Sequence, residues 1–127
     1  MQGDKQLSLL FTKIILRLKI FVFDIFQALK EFAIMCRDSE MSAVEGMLPF
    51  WPRLYCALAI DIEHRVRETV QLAHAAVVKR VGRGIAMYLK QLAGAWFTSQ
   101  YDTYPPAASA ASNSFNVSDY NLLIIKT

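Results

Sequence analysis

Two histidines, two cysteines and one closely spaced glycine pair are the residues of this chain whose types could support chemistry, and in each case the spacing argues against it. His64 and His74 stand ten residues apart. On a helix that separates them by roughly 80°, and no cysteine or carboxylate lies beside them at ligand spacing, so no metal site is expected. Cys36 and Cys56 lack the CxxC spacing of a zinc ribbon or RING, and free, buried thiols are expected, as in a reducing compartment. Gly82-Arg83-Gly84 opens like a dinucleotide fingerprint, but Met87 stands where the third glycine belongs. The preceding segment also reads as helix where the fingerprint requires a strand, so a helix C-cap is the better account of these glycines. No serine sits in a GxSxG elbow, and Glu63 and Glu68 fall on different helix faces. No catalytic, cofactor-binding or metal-ligating residue is therefore expected. Asn116-Val117-Ser118 matches a glycosylation acceptor, which matters only in a secreted chain.

Binding is what remains, and the charge distribution says where. The chain carries a net charge of +3. Between Arg53 and Lys90 seven bases face three acids, so this segment is +4 and the remainder −1. Lys79, Arg80, Arg83 and Lys90 are the candidates for contacting an acidic or phosphate-bearing partner; the competing reading is a solvated helix surface.

The elements that would position these residues are helical. Apolar residues make up 54% of the chain, above the roughly 45–50% of an average soluble domain. Phe26, Leu29, Phe32, Ala33 and Cys36 recur at three and four residues and predict an amphipathic helix over 27–37. A short helical turn is expected over 42–47. A further helix starts near Pro49, where a proline loses no hydrogen bond, and carries Trp51, Leu54, Tyr55, Leu58 and Ala59 to Ile60. Asp61 is placed to cap the next helix, whose Val66, Val70, Ala73, Val77 and Val81 share a face and which stops at Gly82. Then the scheme repeats. Ile85, Leu89, Leu92, Ala93 and Trp96 are followed by Asp102-Thr103-Tyr104-Pro105-Pro106 as turn and cap, and Ala107, Ala108, Ala111 and Phe115 carry the last helix to about Asn116.

Asp61 and Asp102 are 41 residues apart, within the ~40–47 residues of two-helix stacking units. The fold expected is all-α, a HEAT/armadillo-like helical repeat (α-solenoid) fragment of two to three helix pairs. Residues 27–116 form the repeats, residues 1–26 an atypical apolar lead, helical in expectation, and residues 117–127 a divergent tail. Trp51 and Trp96 fall on apolar stripes and are expected in the core or between repeats, while Tyr101 and Tyr104 are open to either role. Lys13, Arg17, Lys19, Asp24, Lys30 and Glu31 break the apolar run from Leu7 to Cys36, which excludes an uncharged transmembrane span, and the first three also break a signal peptide. A soluble, cytosolic piece of a larger protein is expected, its end repeats lacking polar caps.

Several unusual strings in order carry a resemblance. Leu48-Pro-Phe-Trp-Pro-Arg-Leu-Tyr-Cys56, His64-Arg-Val-Arg-Glu68, Tyr88-Leu-Lys-Gln-Leu92, Gly94-Ala-Trp96 and Gln100-Tyr-Asp-Thr-Tyr-Pro-Pro-Ala-Ala108 together resemble the N-terminal region of the listerin family over about 28–116. The resemblance implies an elongated RING-type E3 ubiquitin ligase of ribosome-associated quality control, which marks nascent chains on dissociated large ribosomal subunits. It implies that these N-terminal repeats help grip the large subunit and the nascent-chain-binding cofactor of the quality-control complex; Lys79, Arg80, Arg83 and Lys90 are then the candidates for contacting ribosomal RNA or acidic protein. Zinc is implied only in the family's C-terminal RING, and no cofactor, small-molecule substrate or membrane contact in these residues. The apolar segment 14–26 departs from the family's polar, lysine-rich lead, and the tail from Val117 matches nothing in it. The rival reading is a non-enzymatic HEAT or armadillo adaptor, which a downstream cysteine and histidine cluster at zinc spacing would exclude. A helix-turn-helix DNA reader is disfavoured by prolines in the turns and by the long, valine-faced helix after Asp61.

Overall fold

The computed structural model describes residue 9, residues 11–14 and residues 25–118. The apolar lead and the tail therefore lie largely outside the described residues. Within them there is no strand, and no helix is long and apolar enough to cross a membrane.

Helix α1 spans Ile25–Asp38 and buries Ile25, Ala28, Leu29, Phe32 and Cys36, a stripe at three- and four-residue spacing. The seven-residue α2 (Met41–Met47) leads into a 3₁₀ turn at Leu48–Phe50 and then α3 (Trp51–Leu58). The two prolines explain the break. Pro49 falls in the first turn of the 3₁₀ segment and Pro52 in the first turn of α3, so each missing amide is one that had no intrahelical partner. Regular α-helix thus begins at Trp51 rather than at Pro49.

Helix α4 (His64–Val81) is the longest element, and it buries Val66, Val70, Ala73, Val77 and Val78, with Gln71 and His74 beside them. Its N-cap is Glu63, whose carboxylate accepts from the Arg65 amide at 3.3 Å. Asp61 has a different task from the one its position suggests: its Oδ1 accepts from the Glu63 amide at 2.9 Å and folds the turn before the helix. Gly82 ends α4 at φ +53°, a conformation that favours glycine. A 3₁₀ stretch, Gly82–Tyr88, follows; Gly84 needs no such conformation. Then come α5 (Leu89–Ser99) and α6 (Pro105–Val117).

The described elements pack as two rows. Helix α4 lies between α1 and α6, while α3 and α5 lie against each other and against α4 and α6 respectively. Side-chain contacts set the directions. Arg80, in the last turn of α4, reaches the carbonyls of Cys36 and Arg37 in the last turn of α1, so these two helices run parallel. Trp51 near the start of α3 meets His74, and Tyr55 one turn later meets Gln71, so α3 and α4 run antiparallel. The core is one continuous cluster. It joins Leu29 and Phe32 of α1, Trp51 and Tyr55 of α3, Val70 and Val77 of α4, and Leu92, Trp96, Ala111 and Phe115 of the second pair.

Candidate functional site

Two features stand out in the packed molecule: a buried aromatic and polar seam that fixes α4, and the grooved face that α4 then presents. The seam begins at Phe32, whose ring stacks on Trp51 at 4.6 Å between centroids. Trp51 Nε1 donates to His74 Nδ1 at 3.0 Å, Tyr55 donates its hydroxyl to Gln71 Oε1 at 2.9 Å, and the His74 ring meets Trp96 at 4.4 Å and 87°. Trp96 Nε1 in turn donates to Ser114 Oγ at 3.0 Å. Both tryptophans are fully buried, as their stripes predicted. With Nδ1 occupied as an acceptor, neutral His74 carries its proton on Nε2, which has no hydrogen-bond partner among the described residues.

Burial of the His74 ring penalises the imidazolium and pushes its pKa down to about 3 from 6.5. Between those values the unfolded chain binds the proton and the folded chain does not, so stability falls as pH falls through this window and is unaffected above it. The expected slope is about 1.4 kcal/mol per pH unit from this one group. Urea unfolding across pH 4 to 7 measures it. His74→Gln, which keeps an acceptor for Trp51 but cannot titrate, should flatten the profile, and an unchanged slope in that variant would remove His74 as its cause.

The thiols are also set by burial. It pushes Cys36 up to about 12, against a smaller lowering by the Arg80 charge, and it raises Cys56, so both stay protonated and unreactive at neutral pH. Neither is bonded to the other. No group of three histidine, cysteine or acidic side chains among the described residues could hold a metal ion.

At the turns, the Arg67 side chain ties the α3–α4 turn to the α5–α6 turn. Arg67 Nε and Nη2 donate to the Asp102 carboxylate at 2.9 and 3.2 Å, and its Nη1 donates to the carbonyls of Asp61 and Ile62 at 2.9 and 3.1 Å. Asp102 Oδ1 also accepts from the Tyr104 amide at 2.8 Å, the same two-residue turn that Asp61 makes with Glu63. His64 packs its ring on Tyr104 at 4.4 Å just outside this clamp.

The exposed row of α1, α4 and α6 is the candidate docking face. Leu72 of α4 and Ile34 of α1 are each about half exposed, at 55% and 51%, and sit off the buried stripes. A groove of ≈ 570 Å³ runs between α4 and α6, lined by Leu72, Ala75, Val78, Lys79, Ala110 and Val117 among others. A second, of ≈ 390 Å³, lies between α1 and α4, lined by Ala33, Ile34, Arg37, Ala76, Lys79 and Arg80. Lys79 is the shared rim of both. Of the four basic candidates, the structure brings Lys79 and Arg80 to one groove. Arg80 has a structural task there, since its Nη1 donates to Cys36 O at 3.1 Å and Arg37 O at 2.7 Å and satisfies carbonyls that the end of α1 leaves open. Arg83 and Lys90 are exposed, in the 3₁₀ stretch and in α5, and line neither groove. Ile34, Arg37 and Leu72 escaped sequence reasoning; the signal was an apolar or basic residue lying off its helix's buried stripe.

Residues 26–118 match the family model described as E3 ubiquitin-protein ligase listerin, N-terminal domain. Among curated relatives, the chain is 45% identical over 89 residues to E3 ubiquitin-protein ligase listerin of Mus musculus and 44% identical over 89 residues to that of Gallus gallus. It is 40% identical over 89 residues to the Drosophila melanogaster protein of the same name. In each case the match covers 70% of this chain and 5% of the relative, so the chain spans a small part of the length of the relatives it matches. No solved structure matches it.

Proposed function

From the premise that this chain belongs to the listerin family, through that family's N-terminal domain, we propose that it is a docking module of a ribosome-associated quality-control ligase. On this reading it binds the dissociated large ribosomal subunit, or proteins assembled there, in the cytosol, while ubiquitin transfer belongs to the RING of the family. The observation that carries the proposal is the family match over residues 26–118.

The architecture proposed is a HEAT-like pair of repeats. Its support is the recurrence of the aspartate turn at Asp61 and Asp102, the parallel course of α1 and α4, and the Arg67 clamp joining the turns. Stacked repeats present long, shallow surfaces suited to macromolecular partners, and the two grooves flanking α4 are of that kind. Contact with ribosomal RNA or acidic protein is proposed through Lys79, with Arg83 and Lys90 as flanking charges.

Co-sedimentation of the chain with purified large ribosomal subunits tests the proposal. Binding is expected at low salt, with an affinity that falls as salt rises and as Lys79 is replaced by glutamate. Absence of sedimentation at every salt concentration, by a chain shown to be folded, would overturn it.

A further inference from the structure

The groove between α1 and α4 differs from its neighbour in the charge around it, and this gives it a partner chemistry. Its floor is apolar: Ala33 and Ile34 of α1 and Ala76 of α4 supply it. Around that floor stand Arg37, Lys79 and Arg80, and none of the lining residues is acidic. Asp38, outside the lining, is paired with Arg37 at 2.8 Å. The pair is bidentate, with a second bond at 3.0 Å, but both members are well exposed, at 71% and 59%, so water screens it and a competing carboxylate can exchange for Asp38. Arg80 lines the groove while one of its guanidinium nitrogens is held by the α1 carbonyls. Lys79 has no acidic partner among the described residues and stands at the rim.

We propose that this groove is the seat of an acidic peptide segment of a partner protein, with one aliphatic side chain on the Ala33, Ile34 and Ala76 floor and carboxylates against Lys79 and Arg37. The inference deepens the docking reading above and rests on it for the partner's biological setting, though not for the chemistry. Size and the apolar lining both favour a peptide over nucleic acid. At ≈ 390 Å³ the groove is near the small end of ligand clefts, ~300–1,000 Å³, enough for one or two side chains. The cations alone would serve a phosphate backbone as well, but such a backbone would gain nothing from an apolar lining, whereas an anchored acidic segment uses both together.

The test is a titration of the isotope-labelled full chain, followed by amide chemical shifts, with three probes: a glutamate-rich peptide containing one leucine, the same peptide with alanine in its place, and a uridine oligonucleotide of equal charge. The leucine peptide should shift the amides of Ala33, Ile34 and Ala76 and bind several-fold more tightly than the alanine peptide. Lys79→Glu should weaken it by about tenfold, equivalent to ~1.4 kcal/mol. Ile34→Ser, at an exposed position that folding does not require, should abolish the advantage of leucine while leaving the fold unchanged by circular dichroism. Equal binding of the two peptides, stronger binding of the oligonucleotide, or shifts that miss the groove would each overturn the proposal. Co-sedimentation of the Ile34→Ser variant with large subunits separates the two readings: a variant that still sediments but no longer prefers leucine upholds both the groove and docking elsewhere on the chain. A parent chain that prefers leucine in this groove but never sediments upholds the groove and sinks the docking reading.

Discussion

Replacing Trp51 with alanine is expected to lower the unfolding free energy by about 3–5 kcal/mol, against the ~5–15 kcal/mol that is typical of a whole domain. The indole is fully buried and is shared by three helices: it belongs to α3, stacks on Phe32 of α1 and donates to His74 of α4. Removing it opens a cavity at a fully buried site, and it leaves His74 Nδ1 buried without a donor. Trp51→Phe, which keeps the stack on Phe32 but not the indole N–H, should lose markedly less. Urea denaturation followed by far-ultraviolet circular dichroism gives both values. A loss under ~1 kcal/mol for the alanine variant would show that Trp51 is not the wedge joining these helices.

Arg67→Ala should come next, at about 2–4 kcal/mol, a little below the 3–5 kcal/mol of a fully enclosed pair because the arginine side chain retains 17% exposure. The loss has two parts. Asp102, at 7% exposure, is left without its bidentate partner, and the Asp61 and Ile62 carbonyls lose a donor. Asp102→Asn should cost less, because an amide oxygen can still accept from the Tyr104 amide and from the guanidinium. The double variant should be less destabilised than the sum of the two, since the groups act on each other; strict additivity would mean that Arg67 and Asp102 do not stabilise one another.

Acid adds an independent check. Burial alone would raise the Asp102 pKa, but the bonds from Arg67 and from the Tyr104 amide outweigh it and hold the carboxyl below its usual 3.8. Its contribution is therefore complete above that value and is lost as pH falls through the lower, folded one. The His74 effect opens at higher pH, below 6.5. The two variants His74→Gln and Asp102→Asn should consequently alter different stretches of the same acid unfolding curve.

Much of the fold was legible in the chain because helical periodicity is a local property. The spacing of Leu29, Phe32 and Cys36, of Val66, Val70, Ala73 and Val77, and of Leu92 and Trp96 identifies the faces that the structure buries. Gly82 marked the end of α4 correctly, because only the backbone at that residue decides it. The same local character explains the errors at helix starts, where Pro49 and the stretch from Gly82 to Tyr88 adopt 3₁₀ geometry that apolar spacing alone does not distinguish. The family was legible in several strings of unusual residues in order.

Partner choice was not legible. His74 reads as one more helix residue until Trp51, 23 positions earlier, and Trp96 close over it. Arg67 had two kinds of partner open to it, Asp61 in its own turn or an acid packed beside it, and only the packing selects Asp102, 35 residues on. Arg80 looks like a surface charge in sequence and becomes a helix cap once α1, 44 residues away along the chain, lies parallel beside α4. The docking face follows from the same packing, which places Ile34, Arg37 and Lys79 around one groove and leaves Lys90 in the other row. Local sequence sets which side of each helix avoids water; which residues then meet across helices depends on how the helices are stacked, and no spacing along a single strand of residues encodes that distance.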